Sequence, residues 1–291
     1  MKDEVVALTL DEVQRCANDT LFYFLETMPD VPFTHSEIII EYVKKKGMAR
    51  RARELCAIYV PDKIINESQA KQLNTSIAAN ALIGKEKSAV LVCSDYRATD
   101  EEWRMLFFHE FMHIFCAKTE MVGDHFIDIY GSGTTPDVDP DNKIYDGYIT
   151  AGYKVWSEFI AQYYALSKAC NDSYDFPDVA DFVNELLSEV SVATNELSSS
   201  SFAMACSYLL TCDDVGEILN PPSELNDSAD KAPYEKENRS ALLNCLSYLY
   251  EHLQNEKPWK ISEDFIENLG GKYIMFKTIN SVFLGHMGSN Q

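Results

Sequence analysis

Two histidines four residues apart, His109 and His113, have the residue type and spacing to bind a divalent metal. On an α-helix four residues advance about 6 Å and turn about 400°, so both imidazoles leave the same face. There they can approach one ion at about 2.0–2.1 Å each. Glu110 follows His109 by one residue, about 100° round the helix, beside such an ion but badly placed to ligate it. A carboxylate so placed suits a base that takes a proton from a metal-activated water. The competing reading is an ordinary core helix whose histidines are satisfied by their neighbours.

Two histidines do not fill a catalytic zinc site, which usually has three protein ligands and a water. The first choice for the third ligand is Glu158, in Trp156-Ser157-Glu158-Phe159-Ile160-Ala161, 45 residues after His113. It interrupts an otherwise apolar helix face, and a carboxylate there is costly to bury unless it is paired or bound to metal. The alternative is a solvated Glu on the helix exterior. Asp124, His125 and Asp128 are further candidates from the segment after the HExxH helix. Cys116, seven residues after His109, points within about 20° of it but lies a further turn along, and is read as a packed core thiol.

The elements that must position these residues can be read in outline. Ser88–Cys93 (SAVLVC) is short, apolar and partly β-branched, and predicts a strand. Thr99 followed three residues later by Glu102 is a capping-box pattern, so a helix is expected from there through Cys116. Upstream, a helix is expected over Asp11–Thr27, an apolar stretch over Glu37–Val43, a strand over Leu55–Val60 and a helix over Asn66–Leu82. Downstream comes an irregular, Gly- and Pro-containing stretch from Lys118 to Tyr148. Helices are then expected over Tyr153–Lys168, Val179–Val190, Phe202–Leu210, Ser240–Leu253 and Ser262–Leu269, with an acidic linker at Asn220–Glu237. Strands cluster early and helices late, which predicts an α+β fold. It divides into an N-terminal α+β part, 1–120, with the HExxH helix, and a helical part, 121–291, with the third-ligand helix.

On His109-Glu110-Phe111-Met112-His113 and the later Trp156–Ala161 stretch, the chain resembles HExxH zinc metallopeptidases of the gluzincin kind. It is also distantly similar to the ImmA/IrrE-like intracellular proteins, with a longer gap before Glu158. The resemblance covers Ser88–Leu166. The metzincin extension is excluded, because Cys116 and Thr119 stand where that class has Gly and His. The resemblance implies a zincin-like fold, Zn²⁺ held by His109, His113 and Glu158, and peptide hydrolysis with Glu110 as general base. It also implies that Ser88–Cys93 is an edge strand pairing with an extended peptide. An electrophile for the tetrahedral oxyanion would be a Tyr or His. Tyr145, Tyr148, Tyr153 and His286 are the candidates, with Tyr148 ranked first. The alternative is a regulatory or binding protein that keeps the fold with little or no turnover.

The resemblance implies a peptide or protein substrate, and composition weighs against other partners. A net charge of −21 over 291 residues argues against nucleic-acid and anionic-membrane binding. No apolar run approaches the roughly 18 residues of a membrane span. The eight cysteines contain no CxxC pair, and Met1–Leu10 carries no signal-peptide pattern. Buried reduced thiols and a cytoplasmic location are therefore expected. Asp137–Asp141 resembles the start of an EF-hand loop, but Asn142 and Tyr148 stand where Gly and Glu are needed. Gly131-Ser132-Gly133 lacks the third glycine and the strand–helix context of a dinucleotide site. The basic patch Lys44–Arg53 is expected to pair with the chain's own carboxylates or to be solvated.

Overall fold

The computed structural model describes residues 8–61, 63–119, 143–169, 199–211, 219 and 233–288. The fold is α+β, mostly helical, with one small mixed sheet. Two compact units are formed by Met1–Pro136 with Tyr164–Ser173, and by Asp137–Tyr163 with Tyr174–Gln291. The boundary expected at residue 120 lies outside the described residues, as do the expected helix Val179–Val190, the EF-hand-like Asp137–Asp141 and Gly131–Gly133.

The first unit begins with α1 (Leu10–Thr27), capped by Thr9, whose side chain and Glu12 exchange backbone hydrogen bonds in a capping box. Then come β1 (Ile38–Val43), α2 (Met48–Tyr59), α3 (Glu67–Thr75), β2 (Ala79–Leu82), β3 (Ser88–Cys93) and α4 (Asp100–Lys118). The sheet order is β1-β3-β2. β3 runs parallel to β1, with Ile38 opposite Ser88, and antiparallel to β2, with Ala79 opposite Val92. All six β3 residues are buried. β3 is therefore central, not an edge, and its backbone is already paired on both sides. The cue was the unbroken apolar run, which marks a strand covered on both faces.

Two further expectations are corrected. Leu55–Val60 is not a strand but the last half of α2 and its cap. Met48, Ala49, Ala52, Leu55 and Cys56 are buried at helical spacing, with arginines between them, so Arg50, Arg51 and Arg53 and the Leu55–Tyr59 run belong to one amphipathic helix. Asn66–Leu82 is helical only to Thr75; Ala79–Leu82 pairs with β3 instead. Pairing with a neighbour overrides the helix preference of its alanines. As expected, the basic patch is partly self-paired: the Arg51 guanidinium donates to both Glu41 oxygens on β1 and to Glu54.

α4 is the centre of this unit. Ten of its residues are buried, from Trp103 to Cys116 and on every side of the helix, the pattern of a helix surrounded by protein. It packs against α1 and β2. Phe24 of α1 meets Phe108, Phe111 and Phe115 with ring centroids 4.8, 5.9 and 6.0 Å away. Its N-terminus carries the expected capping box: Glu102 N–H donates to Thr99 Oγ1 at 3.2 Å, and Thr99 N–H donates to the Glu102 carboxylate at 2.7 Å. Thr99→Ala is expected to lower stability by about 1 kcal/mol. Urea denaturation measures it, and an unchanged midpoint would show that the cap contributes nothing.

In the second unit, α5 (Lys143–Ala169) starts ten residues earlier than expected and continues as a single helix whose end belongs to the first unit. It is followed by α6 (Ser199–Thr211), α7 (Pro233–Leu253) and α8 (Glu263–Gly288). α8 extends well past the expected Leu269, and the end of the expected linker at 220–237 is the start of α7. Trp156 of α5 is fully buried, with the rings of His252 and Phe265 each edge-on at 5.0 Å. Ser207 of α6 donates to the Phe159 carbonyl of α5 at 3.0 Å. Six cysteines in the described residues are buried free thiols. No helix among the described residues is long and apolar enough to cross a membrane.

Candidate metal centre

In α4 the two histidines are the openings in an otherwise enclosed stretch. His109 and His113 are half-buried, while Phe107, Phe108, Phe111, Met112 and Ile114 are buried. One helical turn separates them, and their Nε2 atoms stand 3.0 Å apart with the rings at 81°. Two nitrogens each about 2.05 Å from a tetrahedral zinc would be roughly 3.3 Å apart, so the spacing is close to that of a shared ion. The same 3.0 Å also suits a hydrogen bond in which one Nε2–H donates to the other ring. A third donor distinguishes the two readings, because a hydrogen-bonded imidazole pair has no need of one.

That third donor is present. One ligand atom from each of His109, His113 and Glu158 lies within 4.8 Å of the others. All three residues are half-buried. Two imidazole nitrogens and one carboxylate oxygen are the donor set of a catalytic zinc site with a position left for water. The residues therefore could hold a divalent metal ion.

No family model, curated protein or solved structure matches the chain.

Glu110 is 6% exposed and is the one charged side chain among the buried described residues. A buried carboxylate requires compensation, and Lys63, between α2 and α3, acts on it electrostatically. Burial holds the Lys63 ammonium below the ordinary lysine range, opposed by the charges of Cys56 and Glu110. His113 is pushed down to about 4, first by burial and then by the Lys63 charge. At neutral pH its ring is therefore uncharged and has a lone pair for ligation.

The other sequence candidates fare differently. Asp124, His125 and Asp128 lie outside the described residues. Cys116 is buried, and burial alone drives its thiol far above the usual range, as for a packed core residue. The side chains of Tyr145 and His286 also lie outside the described set. Tyr148 is not in a loop beside the Glu158 helix but in the same helix, ten residues earlier. That separation is about 15 Å along the axis. Tyr153, five residues before Glu158, is rotated about 140° from it.

Proposed function

We propose that the protein is a zinc-dependent peptidase with a zincin-like arrangement, in which His109, His113 and Glu158 hold the metal and Glu110 is the general base. The reading rests on one observation, the convergence of three ligand atoms of the right chemistry within 4.8 Å. Zinc bound there would supply Lewis acidity, lowering the pKa of water and polarising a peptide carbonyl.

The chain's own groups account for the proton movements. Glu110 sits one residue from His109 and is buried within α4. It takes a proton from water as the water oxygen bonds to the carbonyl carbon and the carbonyl π pair moves to oxygen. When the C–N bond breaks with its electron pair on nitrogen, Glu110 returns that proton to the leaving amine. The oxyanion pair re-forms the carbonyl, and the products are a carboxylic acid and an amine. Because β3 is central, an added peptide strand would need an outer edge. β2 is the better candidate, since among the described residues it pairs only with β3, and it packs against α4.

Protein purified without added zinc is expected to contain equimolar metal by elemental analysis, and Glu158→Ala to retain less than about one tenth of it. Cleavage of a peptide library by the zinc-loaded wild type then separates an enzyme from a binding protein. A wild type that carries no divalent metal, even after incubation with zinc, ends the proposal.

A further inference from the structure

β1 has the composition of an interior strand but stands at the edge of the sheet. It reads Ile-Ile-Ile-Glu-Tyr-Val over Ile38–Val43, without proline. Its register against β3 runs unbroken from Ile38–Ser88 to Val43–Cys93, so no bulge turns it away. Edge strands are ordinarily protected by charges, proline, bulges or short length. The other edge, β2, follows that rule with four residues, Asn80 among them. β1 carries one charge, Glu41, and the Arg51 guanidinium of α2 already holds both its oxygens, at 2.8 and 2.6 Å. All six residues of β3 are buried, but in β1 only Ile38 is.

The outer edge can be assigned residue by residue. The N–H and C=O of one strand residue point to one side, and those of the next to the other. The Val43 carbonyl accepts from Ser94 N–H, just past β3, at 2.9 Å, so Val43, Glu41 and Ile39 turn their backbone groups to β3. Ile38, Ile40 and Tyr42 present theirs outward, where no strand pairs with them among the described residues. The Ile38 N–H is already given to the His35 carbonyl. Beyond the strand, the Lys44 carbonyl accepts from Gly47 N–H at 2.7 Å. The edge therefore offers both groups of Ile40, both groups of Tyr42 and the Ile38 carbonyl.

That set is self-complementary. In an antiparallel pair centred on Ile40, each Ile40 exchanges both bonds with Ile40 of a second copy, and each Tyr42 N–H donates to the opposite Ile38 carbonyl. The side chains agree, because Glu41 then faces Ile39. A register centred on Glu41 would oppose the two Glu41 carboxylates, and one centred on Ile39 would oppose Glu41 and Glu37; like charges directly opposite are destabilising. Charge also fixes the direction. β1 is preceded by Glu37 and followed by Lys44, Lys45 and Lys46. Antiparallel copies set the basic end against the acidic end twice, whereas parallel copies set like against like.

We propose that the outer edge of β1 is a self-association surface. A second copy of the chain adds its own β1 there, antiparallel, and the two three-stranded sheets become one. This pairing is independent of the peptidase reading, and either can fail without the other.

The test is sedimentation velocity of the full chain over a concentration series, with amide hydrogen exchange measured above and below the association midpoint. Wild type is expected to form a dimer. Its Ile40 and Tyr42 amides should lose protection by at least about tenfold on dilution, while those of Glu41 and Val43, bonded to β3, keep theirs. Ile40→Lys sets two ammonium groups face to face across the symmetry axis and should weaken the dimer by at least about tenfold. Lys44→Glu changes an exposed side chain outside the strand and should weaken it by at least about threefold. If Ile40→Lys does not fold, Lys44→Glu and the wild-type exchange decide. A wild type that stays monomeric up to about 100 μM overturns the proposal. So does a dimer whose strength is unchanged in the folded variants, or whose Ile40 amide exchanges alike above and below the midpoint. A monomer with a protected Ile40 amide would mean that another strand or a bound peptide occupies the edge, and overturns it too.

Discussion

Glu110→Gln is expected to keep a full equivalent of zinc and to lose hydrolysis by about 10²–10⁴-fold, the usual contribution of a positioned general base. The amide has nearly the shape of the carboxylate, so α4 should pack unchanged around a side chain that is only 6% exposed. What disappears is the ability to accept a proton, because an amide oxygen is too weak a base to take one from water. The loss should fall on kcat more than on KM, since the proton moves in the transition state and not on binding. Two outcomes for folding are separable. If the thermal midpoint holds while kcat collapses, the role is chemical. Full hydrolysis by a zinc-loaded Glu110→Gln protein would remove Glu110 from the mechanism.

Gly152→Ala and Gly270→Ala are expected to destabilise the second unit by about 3 kcal/mol or more, whereas Gly271→Ala should stabilise it by about 0.5–1 kcal/mol. All three glycines lie inside helices, where alanine is intrinsically better by up to about 1 kcal/mol. Space decides the sign. A Cβ on Gly152 would stand 1.9 Å from the Ile266 carbonyl oxygen, and one on Gly270 would stand 1.8 Å from the Tyr148 carbonyl oxygen. These are backbone atoms of the opposing helix and cannot rotate away, so α5 and α8 would have to part. A Cβ on Gly271 meets nothing within 4 Å. Chemical denaturation of the three variants measures the difference. If Gly270→Ala and Gly271→Ala move the midpoint in the same direction, the close approach of the two helices is wrong. The consequence for the site follows from α5 itself, since Glu158 sits six residues, about 9 Å, beyond Gly152 on the same helix.

How much of this was legible beforehand differs from residue to residue. Thr99 and Glu102 announced the start of α4, because a capping box is made by residues three apart and requires nothing else. The 3.0 Å approach of His109 and His113 is equally local, a consequence of one helical turn. Leu55–Val60 was misread because its short apolar run fits strand and helix alike. Only the spacing back to Met48, across the arginines, reveals the amphipathic helix. Ala79–Leu82 was misread for the opposite reason: nothing in four residues says that β3 will be alongside.

The sequence by itself determined the α+β class, the capped helix carrying HExxH, and the geometry by which two imidazoles on one turn can share an ion. Each depends on contacts a few residues apart, which helical periodicity and capping chemistry dictate. Tertiary structure decided that Ser88–Cys93 is the middle strand, and that Tyr148 and Glu158 share one helix about 15 Å apart along its axis. It also decided that Gly270, but not Gly271, must be glycine. These outcomes depend on which distant segment occupies the neighbouring space, and pairing and packing between segments leave no periodic trace in either one.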